Sequence, residues 1–241
     1  MKVTLLQFTP DPERTVAMAA RLCYSPRDLD QLESRLSDDE ALRLVRMLKR
    51  MGHHSPLEHA SFTVGVEGVS RALTHQLVRS RIASYSQQSQ RYVEENRFEM
   101  VTPPSIRSNS DAEEIYRQAM ETARKAYRSL VELGIPSEDA RYLLGQGFSS
   151  KIIVTMNARA WNHWFQLRCC SRAQWEIRAL AYRILKELKA VAPSLFEESG
   201  PPCVSEGICR EGHMSCGRIE NLGPRSGSLL VRPPLAEESG S

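Results

Sequence analysis

The sequence predicts an α/β (α+β) fold, a small mixed or antiparallel sheet flanked by helices. Three observations carry that expectation. Several stretches repeat apolar residues at the helical period behind recognisable caps, short β-rich runs such as "KIIVTM" stand between them, and no internal repeat is present.

In chain order, Lys2–Thr9 reads as a first strand and Asp11–Cys23 as a short helix. Ser37-Asp38-Asp39-Glu40 has capping-box spacing, in which a serine hydroxyl and a glutamate satisfy each other's orphan amides. The stripe Ala41, Leu44, Val45, Leu48, Met51 follows at helical period, and Gly52 ends it. Ala60–Gly65 reads as a strand, Val69–Val78 as a buried helix and Phe98–Thr102 as a strand. Ser110-Asp111-Ala112-Glu113 opens a long helix with Ile115, Ala119, Ala123, Ala126 and Leu130 on one face and Gly134 as terminator. Pro136–Gly145 is a shorter helix and Ser150–Met156 the last strand. Ser171-Arg172-Ala173-Gln174 opens a final helix that turns Ile177, Leu180, Ile184 and Leu188 inward before Pro193. After Glu198 the composition shifts to Gly, Pro, Ser and Cys without periodicity, so one domain over residues 1–199 and a flexible tail over 200–241 are expected.

At 241 residues the chain suffices for one domain with a substantial core, or at most two small ones. A net charge of +3 is too small to argue for a nucleic-acid coat, although a local concentration of arginine still binds phosphate. No apolar run approaches the roughly 20 residues of a membrane span. The start, MKVTLLQFTP, lacks the features of a signal peptide, which places the protein in the cytoplasm. Cys23, Cys169 and Cys170 are scattered, while Cys203, Cys209 and Cys216 cluster near the C-terminus; a secreted disulfide scaffold is not the reading.

The chemistry concentrates in "VRSRIASYSQQSQRYV", Val78–Val93, whose arginines and serines are residues that bind phosphate oxygens. By chemistry alone the segment is either such a site or a solvated polar loop. Its spacing, Arg79-x-Arg81 with Ser89 eight positions on, resembles the Arg-His-Arg-x7-Ser signature of the flavin-dependent thymidylate synthases, with Ser80 where that family has histidine. "GHHSPLEHASF", Gly52–Phe62, and "NARAWNHWFQLRCCSRAQWEI", Asn157–Ile177, resemble two further blocks of the same family, in the same order. The resemblance covers roughly residues 1–197.

That resemblance implies a homotetramer with active sites where subunits meet. It implies methylation of dUMP at C5 to dTMP, with FAD as redox carrier, NADPH as reductant and 5,10-methylenetetrahydrofolate as carbon donor. It places Gln76, Arg79, Gln87, Gln88, Ser89, Gln90, Arg91, Arg141 and Arg168 around dUMP. It places His53, Ser55, Glu58, Arg79, Ser80, Arg81, Asn157, Arg159 and His163 around FAD. Arg168 is the catalytic candidate: arginine is no general base at neutral pH, but it can hold charge beside the uracil N3/O2 edge. Its structural alternative is a helix-terminal ion pair.

Cys169 and Cys170 suggest a thiolate nucleophile beside an arginine, but the family delivers hydride from reduced flavin, and both are read as small packed residues. His53, His54 and His59 with Glu58 resemble metal ligands; His53 is assigned to the flavin edge and His59 to structure. Cys203, Cys209, His213 and Cys216 are ligand types suited to zinc, but their spacing lacks tight CxxC pairs, so a zinc site and a tail of reduced thiols both stand. Two other functions remain: an RNA-binding module using the arginines, which predicts steep salt dependence, and a related flavoenzyme acting on another pyrimidine.

Overall fold

The structure is a computed structural model that describes residues 1–92 and 99–222. Four strands, β1 (Lys2–Phe8), β2 (Ser61–Ser70), β3 (Ser84–Gln87) and β4 (Ser149–Asn157), form one antiparallel sheet in the order β1-β2-β4-β3. Eleven α-helical segments surround it among the described residues: α1 (Pro12–Leu22), α2 (Leu29–Ser34), α3 (Asp38–Met51), α4 (Arg71–Leu77), α5 (Pro104–Arg107), α6 (Ser110–Glu132), α7 (Ser137–Ala140), α8 (Ala158–Arg168), α9 (Trp175–Val191), α10 (Pro193–Phe196) and α11 (Pro202–Ser205).

Strand period fixes which face is core. On β4, Ile152, Val154 and Met156 are buried while Lys151 and Ile153 point outward. Phe62, Val64 and Val66 of β2 continue the same buried face. The spacing Trp161, Trp164, Phe165 lays three aromatic rings on one stripe of α8, and all three are buried. Trp161 meets Trp164 edge-on at 5.4 Å and stacks on Phe165 at 5.8 Å, and Phe196 of α10 meets Phe62 at 5.1 Å. The predicted stripe Ile177, Leu180, Ile184, Leu188 of α9 is fully buried. Sheet, α8 and α9 thus share one core.

The capping box of α3 forms as expected, with Glu40 N donating to Ser37 Oγ at 3.4 Å and Ser37 N to Glu40 Oε2 at 3.3 Å. Gly52 closes the helix at φ 75°, a left-handed conformation natural to glycine. One half-buried cation lies under this helix. Lys49 Nζ donates to the carbonyls of Leu195 at 2.8 Å and Ser194 at 3.4 Å, and burial pushes its pKa down to about 8. The folded chain therefore binds this proton less tightly than the unfolded chain does. Stability is expected to rise as pH climbs from about 8 towards the ordinary lysine value of 10.5, because the unfolded state holds the extra proton across that window. Denaturant titrations between these pH values check it; Lys49→Met removes the rise, and an unchanged slope in that variant would refute the assignment.

Several elements differ from the sequence expectation. The helix expected over Val69–Val78 begins only at Arg71, because Val69 and Ser70 still pair with β4. The final helix starts at Trp175, capped by the Gln174 side chain, and Ser171 does not cap it. Pro136–Gly145 splits into the single turn of α7 and a 3₁₀ turn, Arg141–Leu143. Of Phe98–Thr102, Phe98 lies outside the described residues; the rest makes only a bridge, Met100 to Phe148, flanked by Val101 N donating to Gly147 O at 2.8 Å. The strands β3 and the helix α8 were not anticipated as elements.

The buried face of α6 is also rotated. Tyr116, Met120, Ala123, Tyr127 and Leu130 pack into a second small cluster with Ala140 and Phe148, while Ile115 is 69% exposed. The aromatic rings pull their side of the helix inward in place of the Ile115, Ala119, Ala126 side. Part of the expected tail, residues 200–222, lies against the domain: Gln166 Nε2 donates to Glu206 Oε1 at 2.7 Å, Arg172 Nε to Met214 O at 2.6 Å and Arg218 to the Tyr182 hydroxyl at 2.9 Å. Residues 223–241 lie outside the described residues.

Candidate active site

The site grows from the two ends of α4. At its N-terminus the Ser70 hydroxyl caps the helix by accepting from Leu73 N at 3.0 Å. Ser70 is held in turn by Glu176 of α9, whose Oε1 accepts from Ser70 N at 2.8 Å and whose Oε2 accepts from Ser70 Oγ at 2.5 Å. Glu176 and Ser70 are both buried. This buried clamp fixes where the C-terminal end of α4, with Gln76 and Arg79, projects.

Arg168 reaches that end from α8. The aromatic stripe one turn earlier anchors the helix, so its last residue arrives beside α4, where Arg168 NH2 donates to Gln76 O at 3.4 Å. Its Nε is buried with no hydrogen-bond partner. Burial lowers the Arg168 pKa, the Tyr85 side chain raises it, and the neighbouring Arg79 charge lowers it. None of the ten ion pairs among the described residues involves Arg79, Arg81 or Arg168. Positive charge thus gathers here without a protein carboxylate, the electrostatics of an anion site.

Tyr85 is the hub of this corner, and sequence reasoning missed it. Its hydroxyl donates to the carbonyls of Leu77 at 2.9 Å and Ser80 at 3.0 Å, tying β3 to the turn that carries Arg79, Ser80 and Arg81. Burial raises its pKa, while a hydrogen bond with the Ser80 side chain, distinct from the one to the Ser80 carbonyl, and the charges of Arg81 and Arg168 lower it. The residue that replaces the expected histidine, Ser80, is therefore gripped through its backbone. Thr74, also unanticipated, accepts from Gln87 Nε2 at 2.8 Å, and Gln87 donates as well to Ser150 Oγ at 3.2 Å.

The remaining dUMP-assigned residues form a second group at the other end of β3. Gln88 N donates to Lys151 O at 3.0 Å, and Ser89 Oγ accepts from Arg91 N at 3.1 Å. Arg91 pairs with Glu138 at 2.7 Å, and Arg141 Nε donates to Glu138 O at 3.0 Å, so Glu138 gathers both arginines. Gln90 sits in the turn between Ser89 and Arg91. Within one chain Arg91 lies against Glu138 and Tyr92 and Arg141 against Glu138, away from the contacts of Arg168.

The FAD-assigned residues collect where α8 begins. Asn157 caps α8 by accepting from Ala160 N at 2.8 Å, and Arg159 NH1 lies 2.5 Å from Glu58 Oε1 across to the 3₁₀ turn Ser55–His59. His53 and Ser55 lie exposed on the approach to that turn, and His163 is exposed on the α8 face opposite Trp161 and Trp164. The register Ser84–Thr155 brings the N-terminal end of β3, and with it the Arg79–Arg81 turn, to the same end of the sheet as Asn157. Glu58 with its neighbouring histidines forms no metal group, and neither do Cys203, Cys209, His213 and Cys216: among the described residues no three His, Cys, Asp or Glu side chains are arranged to hold a metal ion. Cys203, Cys209 and Cys216 line one cavity, and His213 is not among its lining residues. Cys169 is buried and burial pushes its thiol up to about 12, which removes it as a nucleophile.

An antiparallel sheet flanked by helices, with arginines free of carboxylates gathered at one corner, is the arrangement of an α+β protein with a site suited to anions. The profile of the family described as thymidylate synthase complementing protein matches residues 4–194. Similar proteins include the flavin-dependent thymidylate synthases of Geobacter sulfurreducens, 52% identical over 92% of this chain and 96% of its own length, and of Clostridium tetani, 49% identical over 92% and 95%. That of Pyrococcus abyssi is 40% identical over 97% of this chain and 99% of its own. The chain belongs to the flavin-dependent thymidylate synthase family.

Proposed function

We propose that this chain converts dUMP to dTMP, with 5,10-methylenetetrahydrofolate as carbon donor, NADPH as reductant and FAD as the carrier between them, in a catalytic domain spanning residues 1–199. The observation that carries the reading is Arg168, its Nε buried without a partner and its neighbour Arg79 free of any carboxylate. When bound, FAD supplies two-electron redox chemistry. The residues fit such a ligand: Arg79 and Arg81 offer guanidinium forks to a pyrophosphate, Asn157, Arg159 and Glu58 lie where α8 begins, and His53, Ser55, Ser80 and His163 complete the reading of its contacts. Arg159 is already paired with Glu58, so it holds an anion only after that exposed pair rearranges.

A nucleotide monophosphate brings about two negative charges near neutral pH. Arg79 and Gln76 take the pyrimidine end beside Arg168, which holds positive charge against the uracil edge where negative charge develops. Gln88, Ser89, Gln90, Arg91 and Arg141 form a second nucleotide-binding strip, which Gln87 joins to α4.

Within one chain Arg91 and Arg141 lie against Glu138 and not against Arg168, which fits a homotetramer whose active sites are completed by neighbouring subunits. The exposed apolar side chains Ile115, Leu133 and Tyr142 on and around α6 supply surface for such assembly.

The test is direct. Purified protein is expected to be yellow, to bleach under NADPH, and to form dTMP once dUMP and methylenetetrahydrofolate are added. Flavin binding without dTMP formation would favour a related flavoenzyme acting on another pyrimidine, and a colourless protein that binds nucleic acid with steep salt dependence would favour the RNA-binding reading.

A further inference from the structure

Away from the arginine floor, a cavity of about 30 Å³ is lined by four thiols, those of Cys170, Cys203, Cys209 and Cys216. They come from separate stretches: the connection between α8 and α9, α11, and the segment beyond it. Gly207 at φ 74° and Gly212 at φ 51° adopt the left-handed conformation and let the chain double back between Cys203 and Cys216. The cavity has space for a water-sized occupant but no organic ligand, so its chemistry lies between side chains and small reagents that reach its rim. All six cysteines of the described residues are free thiols.

The four thiols are not equivalent. Cys216 is exposed at the rim, while Cys170, Cys203 and Cys209 are half-buried. Hydrogen bonds to Ser171 and to the Arg218 backbone, followed by the Arg218 charge, lower the Cys216 pKa and favour its thiolate. Cys203, whose thiol burial raises, lines the same cavity as Cys216, and the charge of a Cys216 thiolate raises it further. A preformed metal site is not the better reading, since no three of these donors are arranged to hold an ion among the described residues.

We propose that Cys216 and Cys203 form a dithiol site that exchanges with low-molecular-weight disulfides, Cys216 reacting first and Cys203 closing the bridge. The Cys216 thiolate attacks one sulfur of the reagent, forming a mixed disulfide and expelling one reagent thiolate. Cys203 then loses its proton and attacks the Cys216 sulfur, expelling the second reagent thiolate. The protein dithiol is oxidised by two electrons, and one reagent disulfide is reduced to two thiols. This step involves neither dUMP nor flavin and stands independently of the proposed activity.

The experiment uses the full-length reduced enzyme, glutathione disulfide as probe, and peptide mass mapping over time. The expected product is a Cys203–Cys216 cross-link with loss of two hydrogens. Cys203→Ser is expected to trap one glutathionyl group on Cys216, and Cys216→Ser to abolish both products, each with flavin content and thermal unfolding unchanged. The exposed Cys23 serves as the internal reference for an ordinary surface thiol. Modification of Cys216 no faster than that of Cys23 would overturn the proposal, as would a bridge between other cysteines. Stoichiometric zinc that shields all four thiols in the purified enzyme would overturn it in favour of a metal site.

Discussion

Arg168→Ala is expected to slow dTMP formation by about 10²–10³-fold, the loss typical of one preorganised charge donor in a water-poor site, while the protein remains yellow. The separation of the two effects follows from position. Arg168 ends a helix that Trp161, Trp164 and Phe165 anchor independently of its guanidinium, whose hydrogen bond to Gln76 O is long, at 3.4 Å. Truncation therefore leaves the scaffold and the start of α8 in place. It removes the charge that shares a corner with Arg79 and Tyr85. Arg168→Lys is expected to recover only part of the rate, because an ammonium is a point charge without the planar fork. Single-turnover kinetics with reduced enzyme separate this from a change in flavin loading; parallel loss of flavin and rate would mean that Arg168 holds the cofactor.

Much of the scaffold was legible because period and caps act locally. The capping box at Ser37, the terminator Gly52 and the buried stripe of α9 follow from spacing alone. What escaped depends on partners distant in sequence. The strand "SYSQ" of β3 has no apolar run; it is extended because its backbone completes the edge of β4. α6 carries an apolar side and an aromatic side, and only the position of Phe148 and Ala140 decides which is buried. The arginines of the site were legible as residues, through the three motif blocks. Their grouping was not: that Arg168 meets Gln76, whereas Arg91 and Arg141 gather on Glu138, depends on the packing of α8 on α4 and on the turn at α7. Tyr85 acts through the backbone of Leu77 and Ser80, a role with no signature of its own, and Glu176, although inside the third motif block, acts through Ser70, a partner that block does not reveal.

Glu176 is where fold and site are coupled most tightly, and Glu176→Ala is expected to lower unfolding stability by about 3 kcal/mol. The figure follows from what is left behind: the amide and hydroxyl of Ser70, both buried, lose their acceptor together, at about 1–3 kcal/mol for each unsatisfied group. The loss is not confined to stability. Ser70 ends β2 and caps α4, so its release loosens the helix whose far end carries Gln76 and Arg79. dUMP affinity is expected to fall together with the denaturant midpoint, whereas a core truncation remote from α4, Leu188→Ala on the far part of α9, is expected to lower the midpoint alone. Glu176→Gln is the sharper variant. Its amide oxygen can still accept from Ser70 N, but its NH₂ faces a hydroxyl that already accepts from Leu73 N, so the serine proton must find another acceptor. An intermediate midpoint with partly restored dUMP binding is the expected result; wild-type affinity for dUMP in both variants would show that the Ser70–Glu176 clamp supports the fold without positioning the site.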